Sequence, residues 1–471
     1  VNRISVFEQP RPRFTPEEAA GLLRRDYGLQ GMLSELVSER DQNFLVETPQ
    51  GRFVLKIANA AEDRSLLDLQ NAALRHLETA DPSLGLPRLV PGRAGSHMTE
   101  WKAGSGTHAV RLLTYLPGQL FSAAPKTPAL LASLGRFMGR FSHAMRGFGH
   151  PAAHRPGFLW NLDEVMALKP WIEDIASERR DLVRRIYARY EERVLPRLAR
   201  LRIAVLHQDA NDNNLVVDGD KVRGLIDFGD MAHGRQINEL AVTLAYALLD
   251  VEDIYSAAAP VIAGYAAAFA LDGDEAEVLF DLVAARLAAS VCISSHRAGD
   301  FPDNDYLLIS QAPALRLLER LDQTNPAFLA AFARNAAGLP PIPTHDAVVA
   351  WLSSQECRPV SMFDVDLDRA GRCLLSLTGK APGMEHAGDP VAYWSWLERR
   401  MVDDGARFAI GLYGEDRDVY RGDQFRTPAS PEWRSQHLGI DIFIAAGTPL
   451  YAPLKGKVLS VADNDLPFDY G

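Results

Sequence analysis

Apolar positions recur along this chain with two periods, and the alternation between them outlines its elements. Thr15-Pro16-Glu17-Glu18 combines a cap residue, a first-turn proline and acids at the positive end of a helix that runs to Tyr27. Residues that alternate between apolar and polar then predict strands over 34–37, 43–47 and 52–57, the last two pairing back across Pro49-Gln50-Gly51. The helical period returns with Leu66, Leu69, Ala73 and Leu77, which stripe one face. Residues 90–107 are loop-rich, 109–115 read as an apolar strand, and Pro117-Gly118 breaks it as a hinge would. Beyond Pro128 helix prevails. Leu130, Leu134, Phe137, Met138 and Phe141 share one face, 163–201 holds one or two Arg-rich helices with a solvated face, and others are expected over 239–249, 254–271, 276–293 and 307–321. Between them, 215–217 and 222–226 form a hairpin around Asp218-Gly219-Asp220. The pattern shifts at Leu339-Pro340-Pro341-Ile342-Pro343, where a domain ends.

Composition narrows the partners. The 471 residues carry a net charge of -11, which offers no bulk attraction for nucleic acid and suits a cationic small substrate. Cys292, Cys357 and Cys373 are too scattered for a disulfide framework or a zinc cluster, which points to a reducing, cytoplasmic setting. No run approaches the roughly 18 apolar residues of a membrane span, and no secretory signal opens the chain, so no membrane partner is expected. A start at Val1 and a stop at Gly471, just after a strand-like pattern, are expected of a fragment or of an unusual start.

The chemistry concentrates between Val205 and Asp230. His207-Gln208-Asp209 is followed five residues later by Asn214, and an apolar run ends in Asp227-Phe228-Gly229-Asp230. Phosphoryl transfer needs oxygen-bearing side chains that converge on one phosphate and its metal ions. Asp209 is placed to accept or orient the proton of an attacking hydroxyl, and Asn214 and Asp227 to hold Mg²⁺ against a nucleotide. The intervening hairpin brings Asn214 back beside Asp227.

These residues resemble the aminoglycoside phosphotransferase and choline kinase superfamily, and most of all its hydroxylysine kinase branch. That narrower likeness rests on Arg111-Leu-Leu-Thr-Tyr-Leu-Pro-Gly118, Phe158-Leu-Trp-Asn-Leu162 and Gly224-Leu-Ile-Asp-Phe-Gly-Asp-Met231, and it covers the first two thirds of the chain. Gln208 departs from it, since many relatives carry glycine there. The resemblance implies an α+β, two-lobed protein-kinase-like fold, with a β-rich lobe over 1–116 and a helical lobe over 117–338. It also implies Lys56 on the nucleotide phosphates, with Asp68 as its acidic partner on the next helix. The loop Glu39-Arg40-Asp41-Gln42-Asn43 contains no glycine, so phosphate contacts fall to Gln42, Asn43 or backbone N–H groups. Thr114, Tyr115 and Leu116 offer backbone groups to a purine, ATP or GTP. Asp230 is placed for a substrate ammonium or else as an auxiliary group near the metal, and Trp160 is either core or a wall of the substrate pocket. The acceptor implied is an amino-alcohol or hydroxy-amino acid. An aminoglycoside, choline or homoserine remains open, as does a regulatory nucleotide-binding module attached to a peptidase.

The tail brings a second resemblance. His437 and Asp441, four apart on a strand-like run, resemble two ligands of a lysostaphin-like zinc metallopeptidase. A catalytic zinc takes about three protein ligands, and no histidine follows His437, so this Zn²⁺ site is incomplete. The expected layout ends with a connecting region over 339–425 and a partial metallopeptidase-like domain over 426–471. Proteins that resemble this arrangement sometimes carry a downstream class-III aminotransferase, a further domain that a longer chain could hold.

Overall fold

The computed structural model describes residues 11–38, 40–103, 106–300, 311–354, 360–417, 435–458 and 461. Glu39, Gly104, Ser105, the first residues of the helix expected over 307–321, and 426–434 and 462–471 of the peptidase-like stretch lie outside these. The chain divides into two compact units, Val1–Ile342 and Pro343–Gly471.

The first unit opens with α1 (Pro16–Tyr27), closed at its start by a capping box between Thr15 and Glu18 and at its end by Gly28 in the left-handed region. Strands β1 (Met32–Leu36), β2 (Gln42–Thr48) and β3 (Gly51–Ile57) follow, then α2 (Arg64–Ala80). Strands β4 (Leu89–Val90), β5 (Thr99–Ala103) and β6 (Gly106–Thr114) complete an antiparallel sheet in the order β1-β2-β3-β6-β4, with β5 on the free part of β6. Alternation decides what each face does. Phe44, Val46, Leu55, Ile57, Val110 and Leu112 pack onto Leu22, Leu23 and Tyr27 of α1. The opposite parity sets Asn43, Lys56 and Arg111 in one row across β2, β3 and β6. Strand β5 lies where the sequence suggested only loop. Its alternation is five residues long and sits between glycine-rich turns, so punctuation hid it, yet Trp101 stacks on Phe14 with ring centroids 3.8 Å apart.

Gly118 joins the two lobes at φ +147, and a Cβ there would lie 2.6 Å from the Val217 carbonyl, so the hinge requires glycine. The second lobe contains β7 (Gln119–Leu120), α3 (Pro128–Ala144), α4 (Ser177–Arg189), β8 (Ile203–Leu206), β9 (Leu215–Asp218), β10 (Lys221–Leu225), β11 (Ala232–Arg235), α5 (Ile237–Ala247), α6 (Ile254–Ala268), α7 (Gly273–Asp300), α8 (Gln311–Gln323) and α9 (Pro326–Ala336). Glycines 135, 139 and 264 bring α3 and α6 into backbone contact: a Cβ at Gly135 would fall 2.1 Å from the Val261 carbonyl. The stretch expected as one or two helices over 163–201 is broken into a 3-10 run, Leu162–Asp174, then α4, a π turn and a second 3-10 run, with Pro170 and Pro196 removing backbone donors.

Its arginines are not simply a solvated face. Arg189 and Arg193 both reach the buried Asp281 of α7, at 2.9 and 2.8 Å, and Arg179 and Arg185 pair with Glu319 and Asp322 of α8. Helix α7 corrects another expectation, because residues 273–298 are long and apolar enough by composition to cross a bilayer. Within this unit protein covers them, and 83% of the most apolar stretch is buried.

The second unit contains α10 (His345–Leu352), β12 (Arg372–Leu375), α11 (Pro390–Asp403), β13 (Phe408–Gly411) and β14 (Asp441–Phe443). Strand β13 pairs in parallel with β12 and antiparallel with β14, over a small core of Cys373, Leu375, Leu397, Met401 and Ala409. His437 Nε2 does lie 3.4 Å from Asp441 Oδ1, but the same carboxylate is ion-paired with Arg417. The Arg417 guanidinium thus already balances the Asp441 carboxylate.

Candidate functional site

The catalytic stretch is held by its own backbone hydrogen bonds and by buried side chains. His207 Nδ1 accepts from the Asp209 amide at 3.3 Å, which leaves the proton on Nε2 to donate to the Ile226 carbonyl at 3.1 Å. Burial pushes this imidazole down to about 4, so it is a neutral brace between the two halves of the motif. Gln208 takes φ +68, a conformation that favours glycine and costs another residue roughly 1–2 kcal/mol. The loop forms without glycine because neighbours pin it. Gln208 Nε2 donates to Asn161 Oδ1 at 3.2 Å, and the His207 amide donates to the buried Glu239 carboxylate at 2.7 Å.

Asp209 is surrounded by donors. Asn214 Nδ2 donates to its Oδ2 at 2.7 Å and to its carbonyl at 2.9 Å, Asn211 Nδ2 to Oδ1 at 2.9 Å, and the Arg286 guanidinium to Oδ1 at 3.1 Å. Burial and then the Asp230 charge push the Asp209 carboxyl up, and Arg286 and Asn211 pull it back. Arg286 is itself only 2% exposed, lies over the Trp160 ring at 4.5 Å and donates to the Trp160 carbonyl and the Tyr246 hydroxyl. Trp160 therefore packs beneath the arginine, half-buried against the core.

Across the cleft, Asp227 sits at φ +59 at the start of the second motif, with Oδ1 accepting from the Gly229 amide at 3.1 Å. Its side chain opens to solvent while protein charges crowd round it, and the Lys56 ammonium, followed by Arg40, holds its carboxyl below the usual range. Arg155 secures this turn by donating to the Gly229 and Met231 carbonyls at 3.0 and 2.9 Å. Lys56, Asp209, Asn214 and Asp227 thus lie on one cleft, as do Asp230 and Arg40.

Two expected roles need correction and a third narrows. Gln42 is buried and pinned to Phe14, accepting from its amide at 2.7 Å and donating to its carbonyl at 2.9 Å, so it belongs to the sheet's α1 face and not to the cleft. Parity selects Asn43 instead, whose buried Oδ1 has no hydrogen-bond partner among the described residues. Asp68 is 61% exposed and meets His150 at 3.3 Å, away from Lys56. The same helix turns Gln70 and Asn71 towards the sheet, where they accept from the buried Arg111 at 2.9 and 3.2 Å. At the hinge, the Thr114 and Tyr115 amides donate to the carbonyls of Arg88 and Arg52, so the Leu116 amide is the N–H this stretch offers a purine, and Thr114 and Tyr115 can take part only through their carbonyls.

Sequence reading passed over Glu239, Arg286 and Arg155. Each is a charged residue inside an apolar or aromatic segment, which is the only linear signal they carry. The donor set suits a hard divalent cation: with both Asn214 Nδ2 protons committed to Asp209, its Oδ1 is the atom left to ligate, and Asp227 supplies a carboxylate from the second motif. Among the described residues no three of His, Cys, Asp or Glu cluster as a complete metal site, so a cation here would take its other ligands from phosphate and water.

Comparison with known proteins agrees with this geometry. Residues 33–278, more than half of the chain, match the phosphotransferase enzyme family, APH. The hydroxylysine kinase of Danio rerio is 30% identical over 334 residues, which cover 67% of this chain and 93% of that protein. The homoserine kinase of Methylobacillus flagellatus is 26% identical over 216 residues, 46% of this chain and 62% of its own length. The crystal structure of an aminoglycoside phosphotransferase from Alicyclobacillus acidocaldarius shares the β-rich and helical lobes with a TM-score of 0.50 at 17% identity, over 70% of this chain and 98% of that one. The chain belongs to the phosphotransferase enzyme family and is an enzyme that transfers a phosphoryl group to a hydroxyl acceptor.

Proposed function

We propose that this protein is a small-molecule kinase that moves the γ-phosphoryl group of ATP or GTP to the hydroxyl of a hydroxy-amino acid or amino-alcohol of the hydroxylysine type. The observation that carries the reading is the Asp209 carboxylate, fixed by Asn211, Asn214 and Arg286 and facing Asp227 and Lys56 in the interlobe cleft. Asp209 orients the acceptor hydroxyl and takes its proton; Asn214 and Asp227 hold the divalent cation, Mg²⁺, which neutralises phosphate charge. Lys56, with Asn43 beside it, binds the nucleotide phosphates, and the hinge at Leu116 meets the purine. Asp230 supplies the anion for the acceptor's ammonium. Hydroxylysine and homoserine, the acceptors named for the two relatives, are both hydroxy-amino acids, which supports this substrate class.

The likeness of 426–471 to lysostaphin-like peptidases adds no activity to this reading, since Arg417 occupies the Asp441 carboxylate.

The test is nucleotide consumption by the purified protein with Mg²⁺, using ATP and GTP against 5-hydroxylysine, ethanolamine, choline, homoserine and kanamycin. Turnover that depends on 5-hydroxylysine and is lost in a folded Asp209→Asn variant is the expected result. Equal turnover in that variant would remove Asp209 from the mechanism, and turnover only with kanamycin or choline would replace the acceptor.

A further inference from the structure

The loop between β1 and β2 has no glycine with which to wrap a nucleotide's phosphates, yet it carries Arg40 at its tip. Both roots of this loop are pinned. The Ser38 carbonyl accepts from Arg11 at 3.1 Å, Asp41 Oδ1 accepts from the Asn59 amide at 3.2 Å, and Gln42 is locked to Phe14. Arg40 itself lies over the second motif. Arg40 Nη2 is 3.4 Å from Asp230 Oδ1, and a Cβ added to Gly229 would meet that same nitrogen at 3.3 Å and Asp227 Oδ1 at 3.2 Å. One guanidinium thus crosses from the β-rich lobe to the turn that carries both Asp227 and Asp230, where a transferring phosphoryl group would pass.

We propose that Arg40 is a phosphoryl clamp acting in the transition state, supplied from the same chain in place of a glycine-rich cradle, with Asp230 as its resting counter-ion. The inference rests on the kinase reading above. In the step itself the acceptor oxygen bonds to Pγ while the bond from Pγ to the β–γ bridging oxygen breaks. The electron pair stays on the nucleoside diphosphate and the hydroxyl proton passes to the Asp209 carboxylate. Arg40 makes and breaks no covalent bond. Its planar fork of donors matches two equatorial oxygens of the phosphoryl group, whose charge is more spread and more exposed in the transition state than in the bound nucleotide. The resting pair is displaceable: Arg40 and Asp230 are 30% and 17% exposed and stand at the long end of ion-pair distance. When Arg40 turns to the phosphoryl group, Asp230 is left with an unmatched charge, and the acceptor's ammonium can take the arginine's place.

The test compares wild type, Arg40→Met and Arg40→Lys by calorimetry, with Mg·ADP alone and with Mg·ADP plus aluminium fluoride as a mimic of the transferring group. Arg40→Met is expected to bind Mg·ADP within about threefold of wild type while losing about 100-fold of the tightening that fluoride brings, and kcat should fall by a similar factor. Arg40→Lys should recover part of both. Unchanged fluoride tightening in a folded Arg40→Met variant overturns the proposal, as does an equal loss with and without fluoride, which would make Arg40 a ground-state or structural residue. A wild type that gains nothing from fluoride would sink the phosphotransfer reading together with the clamp, an outcome distinct from either of these. Both binding measurements stand whichever acceptor the enzyme uses.

Discussion

Glu239 gives the sharpest measurable consequence of how the catalytic loop is built. It is fully buried on α5, and its Oε2 accepts the His207 amide at 2.7 Å. Burial pushes its carboxyl up from 4.5 to about 7, against the pull of the loop amides. Between these two values the native protein keeps a proton that the unfolded chain has shed, so stability falls as pH rises through the window and levels off above it. At about 1.4 kcal/mol per pH unit, the loss comes to about 3 kcal/mol. Glu239→Gln resembles the protonated side chain, still accepts the amide and does not titrate. It should match wild type near pH 5 and become more stable by up to about 3 kcal/mol at pH 8. Glu239→Ala instead leaves a buried N–H unpaired beside a cavity, and should cost about 3 kcal/mol at every pH together with much of kcat, because the His207–Asp209 loop loses its support. The assay is urea unfolding at pH 5, 6, 7 and 8 followed by tryptophan fluorescence, with the transition of the first unit identified by its shift with Mg·AMP-PNP. A gap between Glu239→Gln and wild type that does not change with pH would refute the reasoning.

Other consequences follow from the pairs that hold the lobes. Removing Asp281, which is 4% exposed and receives Arg189 and Arg193, leaves two largely buried cations without their acid; Asp281→Ala should lower stability by about 3 kcal/mol in the same unfolding assay, and a loss under ~1 kcal/mol would show that solvent replaces the pair. Asp68 and Lys56 separate in a steady-state assay. Asp68→Ala, at a surface pair worth less than ~1 kcal/mol, should leave kcat/KM within about twofold, whereas Lys56→Met should reduce it about 100-fold. Equal losses in both variants would restore Asp68 as the lysine's partner.

The elements closest to the chemistry were readable because local rules govern them. The hairpin between Asn214 and Asp227 follows from two short apolar runs around a Gly turn, and the nucleotide sheet from alternation over 43–47 and 52–57. The row Asn43, Lys56, Arg111 needs more, since it depends on the register between β3 and β6, whose residues lie more than fifty apart in the chain. Gln42 and Asn43 show the limit most plainly. Either could serve a phosphate by type, and only the pleat decides that Gln42 faces Phe14 while Asn43 faces Lys56. Asp68 failed for the matching reason on a helix: Gln70, two residues and about 200° of rotation further on, presents its amide to Arg111, while Asp68 stays on the exposed side with His150.

What the sequence alone determined about this protein is its class of chemistry and the candidate oxygen donors, because a phosphoryl-transfer site requires those residue types at short, ordered spacings. What only the tertiary structure decided is the company they keep. Glu239 beneath His207, Arg286 beside Asp209 and Arg40 above Gly229 come from separate elements, and a buried or cleft-facing charge is recognisable only when its partner is in view. Electrostatic interactions act through space, over a few ångströms, and a linear pattern carries no record of which charges folding will bring within that range.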